Sequence, residues 1–248
     1  MILLIDIGNS NICLGVYKQE QMRTYRMKSF VDKSSDEYYL LLKNFITESV
    51  EDVIISSVVP QITSAFVKLS QQYFEVTPYI VGQKLKTGIQ IVCDDPKTVG
   101  ADLICDVVAA AQIFDEGLVI DLGTASKFLY YKNKTYLGAV IAPGVAVSTK
   151  AMVSSAALLP HMELVVPAKV LNTATIPCMQ SGVLYGFASM VDGLIQRIKD
   201  ELKQPHLKII ATGGLISLIA PLCKEKIDQI EPDLVLKGLL QIYLKNKN

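Results

Sequence analysis

Two aspartates stand where apolar strands should end. The run Ile2-Leu3-Leu4-Ile5-Asp6-Ile7-Gly8-Asn9-Ser10-Asn11 passes from buried-strand residues into a polar turn. Nearly half the chain later, Leu118-Val119-Ile120-Asp121-Leu122-Gly123-Thr124-Ala125-Ser126 does the same. A carboxylate in such a run is costly to bury unless it has hydrogen bonds or a cation to hold. The glycine that follows lets the backbone approach a ligand closely, and the hydroxyls beyond it add donors. Amides and hydroxyls of this kind suit phosphate oxygens, and a carboxylate at each strand end suits a cation bridging them. A third glycine-rich turn, Ala211-Thr212-Gly213-Gly214, follows another apolar run. A single Asp-x-Gly turn reads as a hairpin closed by an Asx turn, but two matching turns and the third point to a nucleotide site. No GxxxxGK[ST] segment and no strand-linked GxGxxG is present, so P-loop and Rossmann readings fail.

Phosphoryl transfer also needs a group that takes the acceptor's proton or holds its hydroxyl. Asp102 is the candidate, because the small residues Gly100 and Ala101 before it leave room for a substrate. Asp106 lies four residues on and shares its helical face. Both also fit the ordinary preference of acidic residues for the first half of a helix, so spacing alone leaves the assignment open. The helix that would carry them spans 94–114 (DDPKTVGADLICDVVAAAQIF), with Asp95 as N-cap, Pro96 at the first helical position and Asp102 one turn inside.

The elements that must position these residues follow from hydrophobic periodicity. Residues 2–7 and 12–17 form a hairpin, 36–48 an amphipathic helix, 53–59 a buried strand ended by Pro60, 61–74 a helix and 78–82 a short strand. The series then restarts with strands at 117–123, 127–133 and 135–144. Helical segments at 145–159 and 177–203, a strand at 207–214 and a last helix after Pro232 complete it. Two copies of one β-β-β-α-β-α unit result, predicting an α/β protein with domains at 1–114 and 115–248 and a nucleotide cleft between them.

Composition narrows the function. The 248 residues are 50% hydrophobic, contain no Trp and carry zero formal net charge, which argues against nucleic acid or a membrane surface as partner. The longest apolar stretches, YLGAVIAPGVAV and IIATGGLISLIAPL, are too short for a span and are broken by Gly and Pro. The opening residues reach Asp6 and Asn9 at once, so they read as a strand and not a signal peptide. Surplus apolar character without a span suggests a subunit interface. Five scattered cysteines without a CxxC pair indicate a reduced, cytoplasmic protein, and the distant His161 and His206 give no zinc cluster.

The ordered set DIGNSN, GAD, DLGTAS, VIAPG, NTATIPCMQSG, TGG and DLVLKGL spans essentially the whole chain. It resembles the type III pantothenate kinases of the acetate kinase, sugar kinase, Hsp70 and actin superfamily. The resemblance implies two duplicated ribonuclease-H-like domains, as in actin-like ATPases, assembled as a homodimer. It implies ATP-dependent phosphorylation of pantothenate to 4'-phosphopantothenate, the first step of coenzyme A synthesis, with Mg2+ or another divalent ion and with K+ or NH4+. On the matching positions, Asp6, Ile7, Gly8, Asn9, Ser10, Asn11, Ile12 and Cys13 would face the ATP phosphates, with Asp6 near the divalent metal. Thr124 and Thr212-Gly213-Gly214 would contact the nucleotide, and Asp121 would hold the monovalent cation. Asp102 would be the general base, and Cys93, Gly100, Ala101, Leu103 and Thr173 would line the pantothenate site.

The chain departs from the family pattern at four places. The GADR segment ends here in Leu103, a Tyr expected upstream is Cys93, and T-T-F-D is replaced by Ser126-Lys127-Phe128-Leu129. The paired glycines before APG are Gly138 and Ala139. Losing the Arg removes a charge-assisted contact of roughly 1.5–3 kcal/mol to a carboxylate acceptor. Besides pantothenate phosphorylation, a kinase for another small alcohol and a non-enzymatic paralogue with a partner role therefore remain open at this point.

Overall fold

The computed structural model describes residues 1–46, 48–82 and 85–247. The first run of elements is β1 (Ile2–Ile7), β2 (Asn11–Lys18), β3 (Gln21–Lys28), α1 (Ser35–Leu42), β4 (Asp52–Ser57), α2 (Pro60–Phe74), β5 (Tyr79–Ile80), β6 (Gln90–Ile91) and α3 (Ala101–Ala110). The second run is β7 (Glu116–Leu122), β8 (Ala125–Lys132), β9 (Thr135–Pro143), α4 (Val145–Ser155), α5 (Thr175–Leu202), β10 (Lys208–Thr212), α6 (Ile216–Ile219), β11 (Gln229–Ile230) and α7 (Leu234–Lys247). They form two compact units. The first comprises Met1–Asp115, Tyr131–Leu137 and Asp233–Asn248, and the second Glu116–Tyr130 and Gly138–Pro232.

In the first unit the strand order is β3-β2-β1-β4-β5. β1 runs antiparallel to β2 and parallel to β4. Leu3, Leu4 and Ile5 are all fully buried, because helices cover both faces of the sheet. Leu3, Ile5 and Ile7 pack with Tyr38 of α1 and Phe66 of α2. Leu4 points the other way, towards Ala101, Ile104 and Cys105 of α3 and Leu236 and Leu239 of α7. The last helix thus belongs with the first unit and not with the half of the chain that precedes it. Gly238 makes the α3–α7 crossing possible, since any side chain there would overlap the backbone of Cys105. At the other end of α7, Tyr243 Oη and Lys247 Nζ donate to Asp52 Oδ2 of β4 at 2.6 and 2.7 Å.

The second unit repeats the plan. In its sheet the five strands β9-β8-β7-β10-β11 follow the order of the first, β6 adds a sixth strand parallel to β9, and β10 is parallel to both β7 and β11. Leu118, Ile120 and Leu122 of β7 pack with Leu184, Ala188, Val191 and Ile195 along α5.

Three helices are shorter than their sequences suggest; the simplest case is α4, which ends at Ser155 and not at residue 159. α1 starts at a capping box, Ser34 with Glu37, and ends at Leu42, while residue 47 of the expected 36–48 helix lies outside the described residues. The predicted 94–114 helix is split. Asp95 caps only a 3₁₀ turn, Pro96–Thr98, by accepting from Lys97 N at 3.1 Å. Val99 is then extended (φ −70°, ψ 121°), and α3 begins afresh with Gly100 as its N-cap. Asp102 consequently stands in the first turn of α3 instead of one turn inside a longer helix.

Candidate functional site

In the first unit the register of β1 against β4 sets Asp6 opposite Ser56, and Ser56 Oγ donates to Asp6 Oδ1 at 2.9 Å. The turn after Asp6 is closed by Gly8 N donating to Asn11 O at 3.0 Å. Ser29, beyond β3, pins it from outside: its Oγ donates to Gly8 O at 2.6 Å and its N to Ser10 O at 3.1 Å. Asn9, Ser10 and Asn11 remain exposed on a fixed backbone. Ile7 and Ile12 are fully buried and pair across the hairpin. Their side chains support the turn from below, which leaves Asn9, Ser10 and Asn11 outermost.

α3 enters the same region. The Asp102 carboxylate folds back over Gly100, so that a Cβ at position 100 would push its Oδ1 aside. One turn on, the buried Cys105 thiol is held well above its usual range, first by burial and then by the carboxylates of Asp6, Asp106 and Asp102, with a Ser56 hydrogen bond opposing. The charges of three acidic groups, from β1 and α3, thus act on one buried thiol. Cys13, opposite Asp6 in the hairpin, is also raised, chiefly by burial, with Arg26 opposing and Asp6 adding to the rise. Neither thiol supplies a thiolate, so neither is a nucleophile here.

Gly100 and Ala101 line a cavity of about 760 Å³, as do Ser57, Thr63, Lys68, Lys97 and Thr98. Neither lysine makes an ion pair among the described residues. Leu103 does not line it and is only 8% exposed, packed into the unit. Cys93 is exposed on the loop after β6. Ser56 and the two lysines are the groups sequence reading passed over. Paired serines ending an apolar strand, in Ile54-Ile55-Ser56-Ser57, were the available signal for the first.

The second unit builds a related but distinct turn. Asp121, next to last in β7, stands opposite Thr212 of β10, in the same register that sets Asp6 opposite Ser56. Thr212 is buried, Thr124 and Gly214 are exposed, and Thr173 is exposed just before α5. Gly123 N donates to Ala125 O at 3.2 Å. Two further glycines close on this turn. Gly144, the N-cap of α4, presses on the carbonyls of Gly123 and Thr124, leaving no space for a side chain. Gly213 adopts φ +101°, and a Cβ there would lie 2.6 Å from the Leu122 backbone. Lys127 of β8 places Nζ 2.6 Å from Asp121 Oδ2, and both side chains are only 14% exposed.

Among the described residues no group of three or more His, Cys, Asp or Glu is arranged to hold a metal by itself. A magnesium ion does not require one, since it usually keeps several waters and binds through one or two carboxylates plus substrate phosphates. The half-buried Asp6 beside the exposed polar turn fits that donor set. Among the described residues no helix is long and apolar enough to cross a membrane.

Residues 2–197 match the family described as type III pantothenate kinase. A type III pantothenate kinase of Citrifermentans bemidjiense is 43% identical, with all of both chains covered. Among solved structures, a Baf family protein of Campylobacter jejuni aligns over 99% of each chain, with TM-score 0.61 and 18% identity. The activator of the 2-hydroxyisocaproyl-CoA dehydratase from Clostridium difficile, solved with bound ADPNP, aligns over 99% of this chain and 94% of its own. Its TM-score is 0.57 at 13% identity, so the last two likenesses speak to the fold alone.

Proposed function

The chain belongs to the type III pantothenate kinase family, and we propose that it phosphorylates pantothenate with ATP, using Asp102 as general base. The product is 4'-phosphopantothenate, and the step opens coenzyme A synthesis. The observation that carries the residue assignment is the place of Asp102 in the first turn of α3, directly after the Gly100–Ala101 wall of the cavity, with Asp6 held by Ser56 in the same unit.

In this reading the amides and hydroxyls of Gly8 to Asn11 receive phosphate oxygens, held ready by the Ser29 bonds. Asp6 would hold the divalent ion, which on binding supplies positive charge to the phosphates. Asp102 accepts the proton of the acceptor hydroxyl as that oxygen attacks phosphorus, and it follows directly on Gly100 and Ala101 of the cavity wall. Preorganised positioning of this kind is most of what phosphoryl transfer asks of a protein. In the second unit Thr124 and Gly213-Gly214 contact the nucleotide, and the buried Thr212 supports the turn beside Asp121. The exposed Cys93 and Thr173 are assigned to the acceptor.

The cavity beside Gly100 and Ala101 is of a size that suits a small ligand. With Leu103 packed away, Lys97 or Lys68 on its wall supplies the cation for the acceptor carboxylate. We assign the protein to the cytoplasm and to a homodimer. The dimer is supported by the outward residues of β9, Leu137, Ala139 and Ile141, which present an apolar face (Ile141 is 66% exposed).

Purified protein given ATP, Mg2+ and pantothenate should form phosphopantothenate and ADP in equal amounts. No phosphopantothenate at high enzyme concentration overturns the assignment. Replacing the responsible lysine, Lys97→Met or Lys68→Met, should raise KM for pantothenate by about tenfold to a hundredfold. It should leave phosphorylation of pantothenol, which lacks the carboxylate, unchanged.

A further inference from the structure

The family resemblance sets a monovalent cation at Asp121, but the groups around that carboxylate in this chain do not fit one. Lys127 reaches Asp121 from the neighbouring strand β8, with Nζ 2.6 Å from Oδ2. At 14% exposure on both sides, this is an enclosed pair and not a solvated surface contact. A lysine so covered is rare unless its charge is matched. On either side of it Ser126 and Phe128 are buried, and Ser126 Oγ donates to Pro143 O at 3.1 Å, so the strand that carries the lysine is fixed. A potassium or ammonium ion on Asp121 would have to sit against a fixed ammonium of like charge. The position where the family pattern has a threonine hydroxyl therefore carries, in this chain, the positive charge itself.

We infer that the Lys127 ammonium replaces the monovalent cation, so that this kinase works without added K+ or NH4+. The substitution exchanges a diffusible ion, whose occupancy follows its concentration, for one tethered to the carboxylate it serves. Asp121 stays neutralised and Thr124-side turn geometry is held at any salt composition. The inference rests on the kinase reading above, and its test separates the two.

The wild-type protein is assayed for phosphopantothenate with KCl or NH4Cl raised from none to about 100 mM, choline chloride holding the ionic strength constant. Turnover should stay flat. Thermal unfolding of the nucleotide-free protein over the same series should show no midpoint shift specific to K+. Lys127→Thr should lose about tenfold or more of its activity in choline alone and recover with K+ or NH4+. Its unfolding midpoint should rise with K+ and not with choline. Activation of the wild type by K+, or a K+-specific rise in its midpoint, overturns the inference even if the variant fails to fold. If no salt yields phosphopantothenate from wild type, the kinase reading fails, and the midpoint series still decides whether Asp121 binds a free cation.

Discussion

Gly213→Ala probes the meshing of turns that defines the second unit's site. The substitution meets two obstacles at once. Its backbone stands at φ +101°, and the new Cβ would lie 2.6 Å from N, C and O of Leu122. The left-handed conformation costs roughly 1–2 kcal/mol for a residue with a Cβ. Overpacking against backbone, which cannot swing aside as a side chain does, adds roughly 1–3 kcal/mol. A loss of about 3 kcal/mol corresponds to a fall in unfolding midpoint of roughly 6–12 °C for a chain of this size. Because Leu122 directly follows Asp121, the displacement should also raise KM for ATP. Gly186→Ala, in the middle of α5, is the control. Nothing outside its own stretch of helix backbone lies within 4 Å of its would-be Cβ, and replacing a helix-interior glycine should gain about 0.5–1 kcal/mol. Thermal unfolding followed by circular dichroism, with ATP titrations, reads both. A Gly213→Ala protein with the wild-type midpoint and KM for ATP would refute the close approach of the two turns.

Two further expectations concern the first unit. Burial works to raise the Asp52 pKa, but the bonds from Lys247 and Tyr243 outweigh it and hold it below the usual 3.8. Its contribution is thus present above that value and lost as pH falls through the depressed one. Asp52→Asn should cost about 1 kcal/mol at neutral pH and converge on wild type as pH falls through the depressed value, as measured by denaturant unfolding across pH. Among the thiols, Cys93 and Cys178 are exposed, whereas burial raises Cys13, lifts Cys223 to about 12 and holds Cys105 well above its usual range. Mass-resolved alkylation at about pH 8 should label Cys93 and Cys178 first, and Cys105 only on unfolding.

The duplicated plan was legible because each unit opens with the same local grammar: an unbroken apolar strand, an acidic residue, a glycine and a second strand. Burial on both faces of β1 and β7 leaves a continuous hydrophobic run, which survives in the sequence as a clear signal. The start of α3 was not legible. The Ala-rich run reads as helix throughout, and Asp95-Pro96 is a sound helix start that Val99 and Gly100 interrupt one turn later. Nor was the allegiance of α7, which depends on Gly238 meeting Cys105 across more than half the chain. Local pattern carries no record of such a contact. Of the proposed site residues, Asp6, Gly100, Asp102 and Asp121 stand out by residue type and position. Lys127 was visible only as a departure, because strand order and side-chain reach, not spacing, bring it to Asp121. Ile7, Ile12 and Leu103 fell inside motif segments, yet the structure uses them for packing.

The central claim is that Asp102 takes the proton of the acceptor hydroxyl. Asp102→Asn keeps the shape and removes the base. Its kcat for pantothenate should fall by about 10²- to 10⁴-fold, while nucleotide affinity and unfolding midpoint stay near wild type. A variant that kept wild-type turnover would contradict the account.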